Sequence, residues 1–215
     1  MKIAVIGSGN VGRALAISFK RGGHQVVLAG LEPTSAAELA AEVGVESQPT
    51  SADAVRAAEM VVLAIPFEAA ETVAQDIRTA SRGYTVVDVT NPLLPGASGL
   101  STAGGPSGAE AIQALLPDAH VVKGFNTMFA SVQADPTSAG DAADAFVAGD
   151  DEAAKARVLR LAAEIGCRPI DVGGLVRARE LESMAFLLIS MQVAFHGAWT
   201  SVWKLLAPPA AALRG

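Results

Sequence analysis

The chain has 215 residues, 51% of them hydrophobic, and a formal net charge of −6. That balance allows one large domain with or without an extension, and with no cluster of Lys and Arg it excludes nucleic acid as a main partner, since such binding rests on phosphate neutralisation. Cys167 is the only cysteine, which excludes an intrachain disulfide and a cysteine-based metal site, so no metal is expected and the thiol reads as a small buried hydrophobe.

The N-terminus opens on a strand with no basic-then-apolar leader, so no signal peptide and a reducing cytoplasm are expected. Residues Ile3 to Ile6 form an apolar run that leads into Gly7-Ser8-Gly9-Asn10-Val11-Gly12. A helical pattern follows, with Val11, Ala14, Leu15, Ser18 and Phe19 at i, i+3, i+4, i+7 and i+8, Lys20 and Arg21 at its end, and Gly22-Gly23 as the stop. Strand, glycine turn and helix therefore come in the order a dinucleotide site requires. Gly7 serves the tight turn, Gly9 lets the backbone approach a pyrophosphate, Gly12 lets the helix pack on the sheet, and the helix N-terminus offers free N–H groups to phosphate.

A second strand is expected at Gln25 to Ala29, a helix over about 35–43 capped by the Ser35-x-x-Glu38 box, a short strand near Val45 to Gln48, and a short helix from Thr50 to Ala58. Met60 to Ile65 is a buried strand stopped by Pro66, and Phe67, Ala70, Ala74 and Ile77 mark the inner face of the next helix. Tyr84 to Val89 is a fifth strand running into Thr90-Asn91-Pro92. Residues 95–108 are rich in Gly, Ser, Ala and Pro and read as a mobile loop, after which Ser107-x-x-Glu110 caps a helix. His120 to Lys123 is a sixth strand, leading into Gly124-Phe125-Asn126-Thr127. Asp144 to Gly149, a helix capped by Asp150, and Arg168 to Val172 add one more β-α-β unit.

Alternation of this kind implies a Rossmann-type, doubly wound, mainly parallel sheet in an α/β domain over 1–175, with 176–215 as a C-terminal helical extension for the substrate pocket and dimerisation. Ligands bind such sheets at the carboxyl ends of the strands. Three further strand ends therefore matter: Ala64-Ile65-Pro66, Thr90-Asn91-Pro92 and Lys123 to Thr127.

The segments Gly7 to Gly12, Val62 to Pro66, Val87 to Leu93, Val121 to Thr127, Phe146 to Asp150 and Ala178 to Glu182 resemble, in order, those of the coenzyme F420-dependent NADP reductase family and, more distantly, the oxidoreductase domain of the six-transmembrane metalloreductases. The resemblance implies hydride transfer between NAD(P)H and a deazaflavin or flavin, with Ala64, Ile65, Pro66, Asn91 and Pro92 flanking the ribose and nicotinamide and Asn126 and Thr127 beside the reacting rings. Such a reaction needs positioning and exclusion of water more than a proton donor. A dinucleotide-binding sensor without turnover is the alternative. Reduction of a small carbonyl or imine would call for a larger helical domain.

Glu32 lies 20 residues after Gly12, where an acid accepts hydrogen bonds from the adenosine ribose. NADP-using relatives place Ser-Arg at this strand end, whereas this chain has Gly30-Leu31-Glu32-Pro33, so a slight preference for NADH is expected, with Thr34 and Ser35 as hydroxyls that still suit a 2′-phosphate. Lys123, a charge ending an apolar strand, is expected beside an anionic group of cofactor or acceptor rather than in solvent. Arg177 and Arg179 suit an anionic substrate tail or, equally, pairing with Glu180 and Glu182. His24 and His120 sit at strand starts and read as structural.

Ser183 to Trp203 is a run of 21 residues without charge, and its apolar positions keep spacings of three and four through Phe195, Ala198 and Val202. One long helix is expected, packed on the core and on a second subunit to make a homodimer over 181–206. At ~1.5 Å per residue its length matches a ~30 Å membrane core. Gln192, His196 and Thr200 at i, i+4 and i+8 form a polar stripe that argues against a span, and His196 on that stripe is a pocket candidate.

Overall fold

Residue-by-residue alternation divides the strands between two cores. The first strand, β1 (Lys2–Ile6), sends Ile3 and Val5 into one layer and Ala4 and Ile6 into the other, as the two-residue period of a strand demands. The computed structural model describes residues 1–207 and 209–213, so positions 208, 214 and 215 of the expected extension lie outside the described residues. After β1 the chain runs through α1 (Asn10–Arg21), β2 (Gln25–Ala29), α2 (Pro33–Val43), β3 (Glu46–Ser47), α3 (Ser51–Arg56), β4 (Met60–Leu63), α4 (Ala70–Ile77), β5 (Thr85–Asp88), α5 (Gly108–Leu115), β6 (His120–Lys123), α6 (Ala130–Ala134), β7 (Asp144–Gly149), α7 (Glu152–Glu164), β8 (Arg168–Gly173) and α8 (Ala178–Ala194).

The strands lie in the order β3-β2-β1-β4-β5-β6-β7-β8, all neighbours parallel except β6 and β7. This is the Rossmann-type doubly wound sheet. The chain winds outward from β1 to β3 and then returns to β4 on the other side, so the reversal falls between the ends of β1 and β4. One core lies between the sheet and α1, α6 and α7, around Leu15, Phe19, Val132, Val158 and Leu161. Val55, Val73, Ile77 and Ile112 line the other, under α3, α4 and α5. Each such side chain contributes about 1.5–3 kcal/mol on burial.

Three local expectations are corrected. The helix α2 starts at Pro33 with Glu32 as its flanking residue and no side-chain cap, because proline's fixed φ suits the first helical position; Ser35 lies inside the helix and the Ser35–Glu38 box does not form. Asp151, not Asp150, caps α7, its carboxylate accepting from Ala154 N at 2.7 Å, while Asp150 accepts from Leu175 N. Phe67 belongs to a single 3-10 turn ahead of α4 and is only partly buried.

The C-terminal segment differs most. The helix α8 ends at Ala194, and no helix among the described residues is long and apolar enough to cross a membrane. His196 takes a left-handed conformation (φ 50°), Phe195 N donates to Met191 O and Gly197 N to Gln192 O, which is a Schellman stop. A Cβ on Gly197 would overlap the end of the Gln192 side chain, so any larger residue there would have to displace that amide. The Gln192 amide then captures Trp199 N (3.0 Å) and Ser201 Oγ (3.1 Å), and Trp199 packs edge-on against Phe129 with centroids 5.1 Å apart. The Gln192–His196–Thr200 stripe is therefore broken after its first member. The arm beyond runs along the sheet edge, where Trp203 joins Phe146, Ile170, Leu181 and Met184.

Candidate active site

At the reversal point β1 gives way to Gly7, whose φ of +122° is closed to ordinary side chains and whose Cβ would overlap the Ala64 carbonyl. A Cβ on Gly12 would overlap the Gly7 carbonyl in turn, so α1 packs directly on the turn. Gly9 is different. Among the described residues nothing lies within 4 Å of the position its Cβ would take and no side chain caps α1, and Gly9 and Asn10 are exposed. The first-turn N–H groups of α1, with Ser8 and Val11 beside them, thus form a positive, open cradle for an anion.

The end of β2 continues the same edge. Gly30 is buried, and a Cβ there would stand 3.5 Å from Ser8 Oγ. Glu32 is exposed at the head of α2 with its carboxylate in no cap bond, and Thr34 and Ser35 are exposed in the first turn after it. The cations of α1 are turned to other work: Arg13 pairs with Glu42, and Lys20 Nζ donates to the Val43 carbonyl.

On the far side of β1, Ala64 is half-buried, Ile65 buried and Pro66 exposed. The next two strand ends are tied to each other. Asn126 Nδ2 donates to Asn91 Oδ1 (2.9 Å) and to Leu181 O (3.1 Å), and Asn91 Nδ2 donates to Asn126 O (3.1 Å). Pro92 and Thr127 are buried next to them. The chain enters this clasp through Phe125, a fully buried residue at φ 60° whose carbonyl accepts from Gln133 Nε2. A left-handed non-glycine residue of this kind costs on the order of 1–3 kcal/mol and is characteristic of functional sites. With both amide protons of Asn126 engaged, its buried Oδ1 has no donor among the described residues. A buried acceptor in that condition is costly unless a ligand or an ordered water supplies the proton.

Lys123 goes neither to a ligand nor to solvent. It is fully buried, and its three protons meet Asp88 Oδ2 (2.8 Å), Thr90 O (2.5 Å) and Glu182 Oε1 (2.9 Å). Glu182 also accepts from Gly108 N and Ala109 N at the head of α5, so the positive end of that helix helps to offset the second carboxylate. The capping box at Ser107 and Glu110 forms as the sequence implies. Asp88 and Glu182 were the residues sequence reasoning missed as a group. Each is an acid in an apolar frame, Asp88 after Thr85-Val86-Val87 and Glu182 among Ala178, Leu181 and Ala185, and that mismatch was the available signal.

Arg179 forms a two-pronged pair with Glu110 (2.8 and 2.7 Å), and Arg177 lies 3.5 Å from Glu180. His196 is exposed on the Schellman turn, away from the helix face it was expected to share. His120 lies near Asp151 and His24 near Glu164, as befits structural residues at strand starts. Burial pushes the Cys167 thiol up to about 12, so it is an inert packing residue.

The sequence model of a family described as "NADP oxidoreductase coenzyme F420-dependent" matches residues 2–92. The F420-dependent NADP reductase of Methanothermobacter marburgensis is 30% identical over 209 residues, covering 90% of this chain and 93% of that protein. This chain belongs to that family. A solved structure of a candidate F420-dependent NADP reductase from Arthrobacter sp. FB24 agrees, at 31% identity and a TM-score of 0.86, covering 96% of this chain and 100% of that one. Human metalloreductase STEAP2 is 30% identical over 190 residues, which is 88% of this chain but 36% of that protein. The family is one of nicotinamide-dependent oxidoreductases.

Proposed function

We propose that the protein transfers a hydride between the nicotinamide of a bound dinucleotide and a deazaflavin or flavin acceptor. The observation that carries this reading is the placement, at the carboxyl ends of the strands, of an open cradle at Gly9 and a buried acceptor atom, Asn126 Oδ1, that lacks a donor among the described residues. The dinucleotide supplies the hydride chemistry when bound. The chain's residues have simpler duties: Gly7 to Gly12 hold the pyrophosphate through backbone N–H groups, Ala64, Ile65, Pro66, Asn91 and Pro92 flank the ribose and nicotinamide, and Asn126 and Thr127 border the reacting rings. Asn126 Oδ1 is suited to a ring or carboxamide N–H.

The segment from residue 176 onward is read as the wall of the acceptor side and as the surface for a second copy, in the cytoplasm. Exposed Leu187 and Met191 on α8, with Phe195 just past its end, recur at i, i+4 and i+8 as an apolar stripe that a second copy would cover. Relatives are named for NADP, yet the carboxylate of Glu32 stands exposed at the ribose spacing with no arginine beside it in sequence, and this supports a modest preference for NADH.

Pure protein incubated with NADH or NADPH and coenzyme F420, then with ordinary flavins, tests the reading through nicotinamide oxidation. Loss of reduced nicotinamide that depends on the acceptor supports it. The alternative of a sensor without turnover is favoured by the saturation of Lys123, which leaves the site without a free buried cation among the described residues; tight dinucleotide binding with no oxidation by any acceptor would establish that alternative.

A further inference from the structure

Seven polar groups from four parts of the chain form one connected structure behind the clasp. Asp88 Oδ1 accepts from Thr90 N (2.8 Å) and Asp88 Oδ2 from Lys123 Nζ, whose other protons go to the Thr90 carbonyl and to Glu182. The peptide groups on either side of Thr90 are thus held from both ends, immediately before Asn91. Glu182 belongs to α8, and the residue before it, Leu181, gives its carbonyl to Asn126 Nδ2. So α8 grips the end of β6 twice, once through a charge at Lys123 and once through a backbone oxygen at Asn126.

Resting on the hydride-transfer reading above, we propose that Glu182, acting through Lys123 and Asp88, is the positioning residue that fixes the Asn91–Asn126 clasp for that reaction. Burying a charged cluster is weak grounds for stability, because apolar replacement of such a cluster is often neutral or better. Orientation is what it supplies. Rotating a single amide at Asn126 would exchange its acceptor and donor toward the ligand, and only the fixed Asn91 Oδ1 and Leu181 O define which way it stands. Gly108 belongs to the same design: a Cβ there would come within 3.2 Å of Glu182 Oε1 and 2.9 Å of the Phe67 ring.

The test compares wild type, Glu182→Gln, and the charge-free triple Asp88→Asn/Lys123→Met/Glu182→Gln, which keeps shape and keeps acceptors for Thr90 N and the head of α5. Dinucleotide Kd is measured by calorimetry, single-turnover hydride transfer with nicotinamide deuterated at the transferring carbon, and the Asn91 and Asn126 side-chain amide resonances by NMR. The triple should stay folded and bind dinucleotide within about threefold of wild type, while hydride transfer slows by about tenfold or more with a larger isotope effect, and the two amide signals broaden. A purely structural role would lower stability and leave the rate per folded molecule and the isotope effect unchanged, which would overturn the proposal. So would broadened amides with an unchanged rate, or a slower rate with unchanged amides. Should the triple not fold, Glu182→Gln carries the same three readings. If wild type transfers no hydride to any acceptor, the functional reading falls, and with it the positioning role in that reaction; the amide signals would still report separately whether the cluster orders the clasp.

Discussion

Gly12 sits so close to Gly7 that a Cβ on the first would overlap the carbonyl oxygen of the second, whereas a Cβ on Gly9, between them in sequence, would meet nothing within 4 Å. The two glycines of the turn thus fail differently when replaced. Gly12→Ala should cost about 1–3 kcal/mol or more through overpacking, read as a lower urea midpoint with an unchanged slope. Gly9→Val should melt like wild type and lose dinucleotide affinity by about a hundredfold, because the branched side chain stands where the pyrophosphate must come. Unchanged affinity in the folded Gly9→Val protein would sink the cradle assignment.

The NADH preference proposed above rests on Glu32. A close charge pair near a surface is worth a few kcal/mol at most at an effective dielectric of about 20, and the exposed hydroxyls of Thr34 and Ser35 offset part of the repulsion of a 2′-phosphate. Wild type should therefore bind NADH modestly more tightly than NADPH at one ionic strength. Glu32→Arg should shift the ratio of the two dissociation constants toward NADPH by about tenfold or more. Tighter NADPH binding by wild type would mean that other groups hold the phosphate.

The pair that joins α5 to α8 has an acid signature. The fork of Arg179, opposed by burial and aided by the Ser107 N–H and hydroxyl, lowers the Glu110 carboxyl from 4.5 to about 2. A carboxyl depressed on folding stabilises the native state above its unfolded value, and that contribution is lost as pH falls from about 4.5 toward 2. The melting temperature of wild type should exceed that of Glu110→Gln at neutral pH, and the gap should close across that window. A gap that persists at the acid end would assign the stabilisation to packing.

Much of the fold could be read in advance because β-α-β architecture writes itself in apolar runs bounded by breakers. Gln25 to Ala29 and His120 to Lys123 form strands with the bounds their residues imply, and Ser107 caps its helix as its box implies, while the helix expected over Thr50 to Ala58 is shorter, Ser51–Arg56 with Thr50 as its cap. The C-terminal helix was misread because spacing alone cannot see a stop: apolar residues continue in register to Val202, yet the chain turns at the left-handed His196, with Gly197 N bonded back to Gln192 O. The candidate site was legible where backbone geometry makes it, at Gly7 to Gly12, Asn91 and Asn126. Its charge network was not, since Lys123 and Glu182 are 59 residues apart and only the packed α8 brings them together.

The exposed stripe of Leu187, Met191 and Phe195 predicts a homodimer even though the helix is shorter than its sequence suggests. Light scattering should report twice the mass of one chain, and Leu187→Glu/Phe195→Glu should halve it without lowering helix content. A soluble wild-type monomer would show that the stripe has no second copy as partner.

In the reaction proposed above, a hydride passes directly from nicotinamide to a deazaflavin or flavin held beside Asn126 and Thr127. It is tested most directly by mixing the protein with coenzyme F420 and dinucleotide deuterated at the transferring carbon, and then locating the label. Direct transfer places deuterium in the reduced deazaflavin, stereospecifically and with none in solvent. Binding of the dinucleotide with no label in coenzyme F420, and no oxidation of the nicotinamide by any flavin, whose N5–H exchanges with solvent, would contradict it.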